Sequence, residues 1–127
     1  MATRAEGTFE IDGWDEAPYD EREGTRLARA RVTKTFSGDV EGTSTAELLM
    51  AYAAGEGVAY VGLERIVGRV HGRSGGFVLH HTAGPAGAGW TIVPGTGTGG
   101  LEGIGGEATI TIEPDGGHSF VLDYDLT

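Results

Sequence analysis

Glu64, His81 and Lys34 are the residues whose types could together move a proton. A histidine takes up and releases a proton near neutral pH. A carboxylate beside it can fix its orientation, and a lysine can neutralise charge that develops on a substrate oxygen. Lys34 stands out as the single lysine of a chain with eight arginines. The other histidines suggest less. His80 and His81 are adjacent, so on a strand they point to opposite faces and cannot share a metal. His71 and His118 add no ligand spacing, so no metal is expected. A formal phosphate-binding pattern, Gly95-x-Gly97-x-x-Gly100, also occurs. It lacks the context a dinucleotide site needs, because Leu101 to Gly106 holds three glycines and leaves no room for a crossover helix before the next strand. No lysine or arginine follows Arg73 to hold a phosphate, and no cofactor is expected.

Glu64, His81 and Lys34 are far apart in sequence, so strands must bring them together. Helical periodicity is almost absent. Ala46 to Ala54 has a helix-forming composition, but its flanks read as strand. Two-residue alternation broken by turn signals dominates, which predicts an all-β antiparallel fold. Strands are expected near residues 6–14, 27–37, 41–53, 58–71, 75–82, 88–94, 106–113 and 118–126. Hairpin connections between eight such strands predict a closed up-and-down barrel, since closure removes exposed sheet edges. Asp15 to Arg26 is expected to be a charged loop that could gate a cavity. The glycine-rich run from Gly95 to Gly106 becomes a sharp connection, with Leu101 and Ile104 tucked under one end.

The hairpin after Val70 sets a register. A turn at Gly72-Arg73 places Glu64 directly opposite His81, both facing inward with Ile66, Phe77 and Leu79. The opposite face, with Arg65, Val67, Arg69, Val78 and His80, reads as solvated. The same parity turns Lys34 and Phe36 inward, and with them Ala46, Leu48, Met50 and Tyr52. Trp90, Ile92, Phe120, Leu122 and Tyr124 follow on later strands. A lysine on an apolar face must be paired or lose its charge, and Glu64 is its natural partner. The expected catalytic set is therefore Glu64, His81 and Lys34. Tyr60, Phe36, Met50, Phe77, Leu79, Trp90, Phe120 and Tyr124 are expected to line a ligand site, and Trp14 to plug one barrel end.

Length and charge narrow the function classes. At 127 residues the chain suits one domain with its own core. A net charge of −10 argues against binding nucleic acid or anionic membranes. There are no cysteines, no apolar run near the eighteen or so residues of a membrane span, and no apolar segment near Met1 of the kind a secretion signal carries. A cytoplasmic protein is expected.

Several segments also carry a resemblance. They are Trp14-Asp15-Glu16, Val32 to Gly38, Tyr60 to Arg65, Phe77 to His81 and Val93 to Gly99. With them the chain resembles a bacterial family of small single-domain proteins of unestablished function, among the allene-oxide-cyclase-like barrels. More distantly, Gly97 to Gly106 is similar to the glycine-rich segment of allene oxide cyclases, dirigent proteins and spirotetronate cyclases. The resemblance implies an eight-stranded barrel with an apolar lumen. It also implies association through outer faces, where valines interleave with Arg65, Arg69 and His80. A homodimer or other homo-oligomer is expected. The function expected is a cyclase or isomerase acting on an apolar small molecule in the lumen. The alternatives are a non-catalytic binding module and a barrel with a filled core, whose polar cluster is purely structural.

Overall fold

The computed structural model describes residues 2–127 and is all-β. Its strands are β1 (Thr3–Arg22), β2 (Thr25–Gly38), β3 (Val40–Ala53), β4 (Glu56–Val70), β5 (Arg73–Gly84), β6 (Gly87–Ile92), β7 (Thr98–Gly99), β8 (Ile104–Ile112) and β9 (His118–Leu126). All pairings are antiparallel, in the order β4-β3-β2-β1-β9-β8-β6-β5-β7. β5 also pairs with β4, so the nine-stranded sheet closes into a ring. The short β7 pairs only with Gly75 and Gly76 of β5. Period-two burial follows from the alternation in sequence: β2 runs Ala28, Ala30, Val32, Lys34 and Phe36 inward, with arginines or threonines between most of them.

Two expectations are corrected. Asp15 to Arg26 is not a loop. It forms the far half of β1 and the start of β2, joined by a two-residue turn at Glu23 (φ 44°) and Gly24 (φ 84°). The charges misled because this half of β1 is an edge. β1 pairs with β9 only through Phe9, so beyond it just one side is bonded. Acidic residues and Pro18 are what an exposed edge tolerates, and register shifts after Ile11 and Pro18 bend it further. The second correction concerns the β4–β5 turn, which lies at His71 (φ 48°) and Gly72 (φ 78°). Val70 therefore pairs with Arg73, Gly62 with His81, and Glu64 with Leu79. The shift is two residues, so every side chain keeps its expected face.

The interior differs from end to end. Near the β4–β5 turn it is filled. Phe36 packs against Phe9 and Phe120 with ring centroids 5.3 and 5.2 Å apart. Phe77, Leu79, Leu101, Ile104 and Leu122 belong to the same buried cluster, and the glycine-rich connection passes beneath it. Gly42 and Gly68 face each other here, and a Cβ on Gly68 would lie 1.9 Å from the Glu41 carbonyl oxygen. Toward the other end a smaller cluster of Ala30, Val32, Ala46 and Leu48 packs with Met50 and Tyr60 and borders open space.

Candidate functional site

The polar cluster sits where the filled end meets the open one. Its members come from four consecutive strands: Lys34 on β2, Ser44 on β3, Glu64 on β4 and His81 on β5. Lys34 pairs with Ser44 in register, and Ala46 with Glu64 in the next row. His81 lies one row further, opposite Gly62, so it reaches Glu64 diagonally past a position without a side chain.

The carboxylate is fully enclosed. Glu64 has 0% exposure, His81 3% and Lys34 7%. Glu64 Oε1 accepts from His81 Nε2 at 2.7 Å and from Lys34 Nζ at 3.3 Å. Oε2 accepts from the Ser44 hydroxyl at 2.5 Å. Burial pushes the Glu64 carboxyl upward. The His81 hydrogen bond, the Lys34 charge and the Ser44 hydrogen bond outweigh it, and the carboxyl titrates below its ordinary range. It is therefore ionised at neutral pH. Since a carboxylate can only accept, His81 carries a proton on Nε2. Lys34 and His81 thus both donate to the same buried carboxylate oxygen. Lys34 Nζ also lies 4.6 Å from the centroid of the Phe9 ring, in cation–π contact.

Lys34 and His81 border an interior cavity of about 360 Å³, whose walls include Val32, Ala46, Leu48, Met50, Tyr60 and Trp90. This size falls within the range of small-molecule sites. A larger outer groove of about 460 Å³, between Tyr19, Leu49, Val61 and the β5–β6 turn, has no charged side chain on its walls. Burial raises the Tyr60 phenol above its ordinary range; the Trp90 N–H draws it partly back, and the Glu64 charge adds to the rise. Tyr60 is thus a neutral O–H donor.

The structure brings together the three residues expected to do chemistry, and sets Met50, Tyr60 and Trp90 on the cavity wall. Phe36, Phe77, Leu79, Phe120 and Tyr124 do not border it; they pack in the filled end. The Tyr124 hydroxyl lies 2.6 Å from His71 Nδ1 on the β4–β5 turn. Trp14 does not plug the ring. It stands at the cavity mouth, 49% exposed, donating from Nε1 to Glu16 Oε1 at 3.0 Å. Sequence reasoning missed Ser44, whose inward parity follows from Ala46 and Leu48 on the same strand. It also missed Phe9 and His118, stacked at 4.8 Å on the wall. Among the described residues no group of three His, Asp or Glu side chains could hold a metal ion, and no helix is long and apolar enough to cross a membrane.

Comparison with known proteins agrees with the fold and is silent on chemistry. No curated protein matches the chain. It is similar to a crystal structure of a protein of unknown function from the DUF3224 family of Shewanella oneidensis MR-1. The TM-score is 0.85 at 31% identity, covering 100% of this chain and 99% of the other. The DUF3224 family model, described as a protein of unknown function, matches residues 5–124. The chain belongs to the DUF3224 family.

Proposed function

We propose that the protein binds an apolar small molecule in the interior cavity and acts on it as a cofactor-independent isomerase or cyclase. His81 is the proton-transfer group, Glu64 orients it, and Lys34 supplies positive charge. The observation that carries this reading is the position of His81: one ring nitrogen is held by a fully buried carboxylate while the ring borders an apolar cavity. The finer fold assignment belongs to the same reading: an eight-stranded allene-oxide-cyclase-like barrel, with β7 as an appendage, working in the cytoplasm. So does a homodimer. Leu49, Val61, Leu63 and Val67 are 45–55% exposed on the outer face of β3 and β4, an apolar surface that a second copy would cover.

The test is a thermal-shift screen of apolar ketones, lactones and olefins, followed by mass-spectrometric search for conversion of each binder. A ligand at a hundred times its Kd stabilises by about 2.7 kcal/mol, which shifts Tm by several degrees. The expected result is a binder converted by the wild type and not by His81→Ala. Binders converted equally by both proteins would remove His81 from the mechanism. A non-catalytic binding module is the second reading. It is favoured by the complete hydrogen bonding of Glu64, which suits a structural cluster as well as a reactive one.

A further inference from the structure

The wall above His81 carries a second polar feature that the proton-transfer cluster does not use. Trp90 pairs with His81 across β5 and β6, and Tyr60 lies one row higher on β4. The three rings converge, with centroids 6.4 Å apart both from Tyr60 to His81 and from His81 to Trp90. Trp90 Nε1 is sealed from solvent and has no hydrogen-bond partner among the described residues. It belongs to the same cavity wall as Tyr60, each ring lying beside His81. An unpaired buried donor is costly, and catalytic hydrogen bonds that are long in an empty site often tighten once it is filled.

The walls offer an incoming ligand donors and a cation but no exposed carboxylate. Tyr60 and Lys34 border the cavity, whereas Glu64 does not and is fully buried. The apolar part of a ligand would meet Leu48, Met50 and Ile110. Such walls select an apolar molecule bearing an oxygen that accepts hydrogen bonds.

We infer that the substrate class is an apolar ketone with an acidic α C–H, whose carbonyl oxygen is held by the Tyr60 hydroxyl. This inference rests on the cavity reading above and deepens it. Trp90 is a positioning residue: its N–H bonds the Tyr60 oxygen and so strengthens the O–H as a donor. His81 carries its proton on Nε2 toward Glu64, which leaves the Nδ1 lone pair as the base. The α C–H bond breaks and its proton goes to Nδ1. The electron pair of that bond becomes the carbon–carbon π bond of an enolate, and the carbonyl π pair moves onto the oxygen held by Tyr60. Return of the proton from His81 to carbon completes an isomerisation or an exchange, with no change in oxidation state. Donors aimed at an oxygen that gains charge stabilise that enolate more than the ketone.

The experiment uses a matched pair of probes, 2-tetralone and tetralin, which differ in the carbonyl. Their binding is measured by calorimetry, and exchange of the ketone's α-hydrogens in D2O by NMR. The wild type is expected to bind the ketone about tenfold tighter than the hydrocarbon, the contribution of one good hydrogen bond. It is also expected to accelerate exchange over buffer. Tyr60→Phe should bring the binding ratio near one while leaving tetralin affinity in place. Trp90→Phe should lower the ratio part of the way, which loss of wall packing alone would not do. His81→Ala should abolish exchange but keep the ratio. Equal binding of both probes by the wild type, or an unchanged ratio in Tyr60→Phe, overturns this inference and leaves the cavity reading standing. Failure of both probes to bind overturns both.

Discussion

At the scale of single residues, the Glu64 carboxylate is buried without exposure and held by three donors. Removing its charge leaves Lys34 buried and unpaired, so Glu64→Gln should destabilise the fold by about 3–5 kcal/mol in chemical denaturation. The double variant Lys34→Met with Glu64→Leu should recover most of that loss, because no lone charge remains. Acid should act through the same group. The folded Glu64 carboxyl titrates below its ordinary range. Its contribution is therefore fully present above the unfolded value of about 4.3 and fades as pH falls through the lower folded value. Unfolding free energy measured from pH 6 down to pH 2 should drop in the wild type, and the drop should be shallower in Glu64→Gln. The inward faces of Glu64, His81 and Lys34 were legible because strand parity survives an error of two residues in register. Ser44 was overlooked because a small hydroxyl among threonines resembles a solvated face. Only distances showed that it completes the carboxylate's bonding.

At the scale of elements, parity and turns did different work. The β4–β5 hairpin followed from alternation alone, but its turn did not. Both His71-Gly72 and Gly72-Arg73 contain glycine, and the choice depends on His71 accepting a positive φ. The far half of β1 was hidden for another reason. A strand bonded on one side can be acidic and carry a proline, so its composition matches a loop. Close approach between strands also has a testable consequence. A methyl group on Gly68 would lie 1.9 Å from the Glu41 carbonyl oxygen, in backbone held at φ 158°. β3 and β4 would have to separate to admit it. Gly68→Ala should therefore lose folded protein on expression or unfold several degrees lower. Gly72→Ala, with nothing within 4 Å of the added carbon, should show only the smaller strain of φ 78° in its melting curve.

Across the whole molecule, the ring is a hybrid of the open and filled interiors. Phe36, Phe77, Phe120 and the glycine-rich connection close one end, while Val32, Ala46, Leu48 and Met50 border the cavity beyond the polar cluster. The sequence showed which residues point inward. It did not show which of them share a level, since that requires every register around the ring. This is why Phe36, Phe77, Leu79, Phe120 and Tyr124 were grouped with residues that border the cavity. The glycine run from Gly95 to Gly106 belongs to the filled end, far from any phosphate chemistry. The proposed dimer is tested at this scale. Light scattering at micromolar concentration should give twice the chain mass, and Leu63→Glu on the outer face should return a monomer. A monomeric wild type would remove the dimer from the account.

The central claim is that the open half of the ring is a ligand site. Calorimetric titration of 2-tetralone into the wild type and into Met50→Trp tests it most directly. Met50 borders the cavity beside Tyr60 and is only partly buried, so an indole there should fill the space while the strands stay intact. The account predicts saturable binding by the wild type and its loss in a variant that circular dichroism shows to be folded. No binding by the wild type, or equal binding by both proteins, would contradict it.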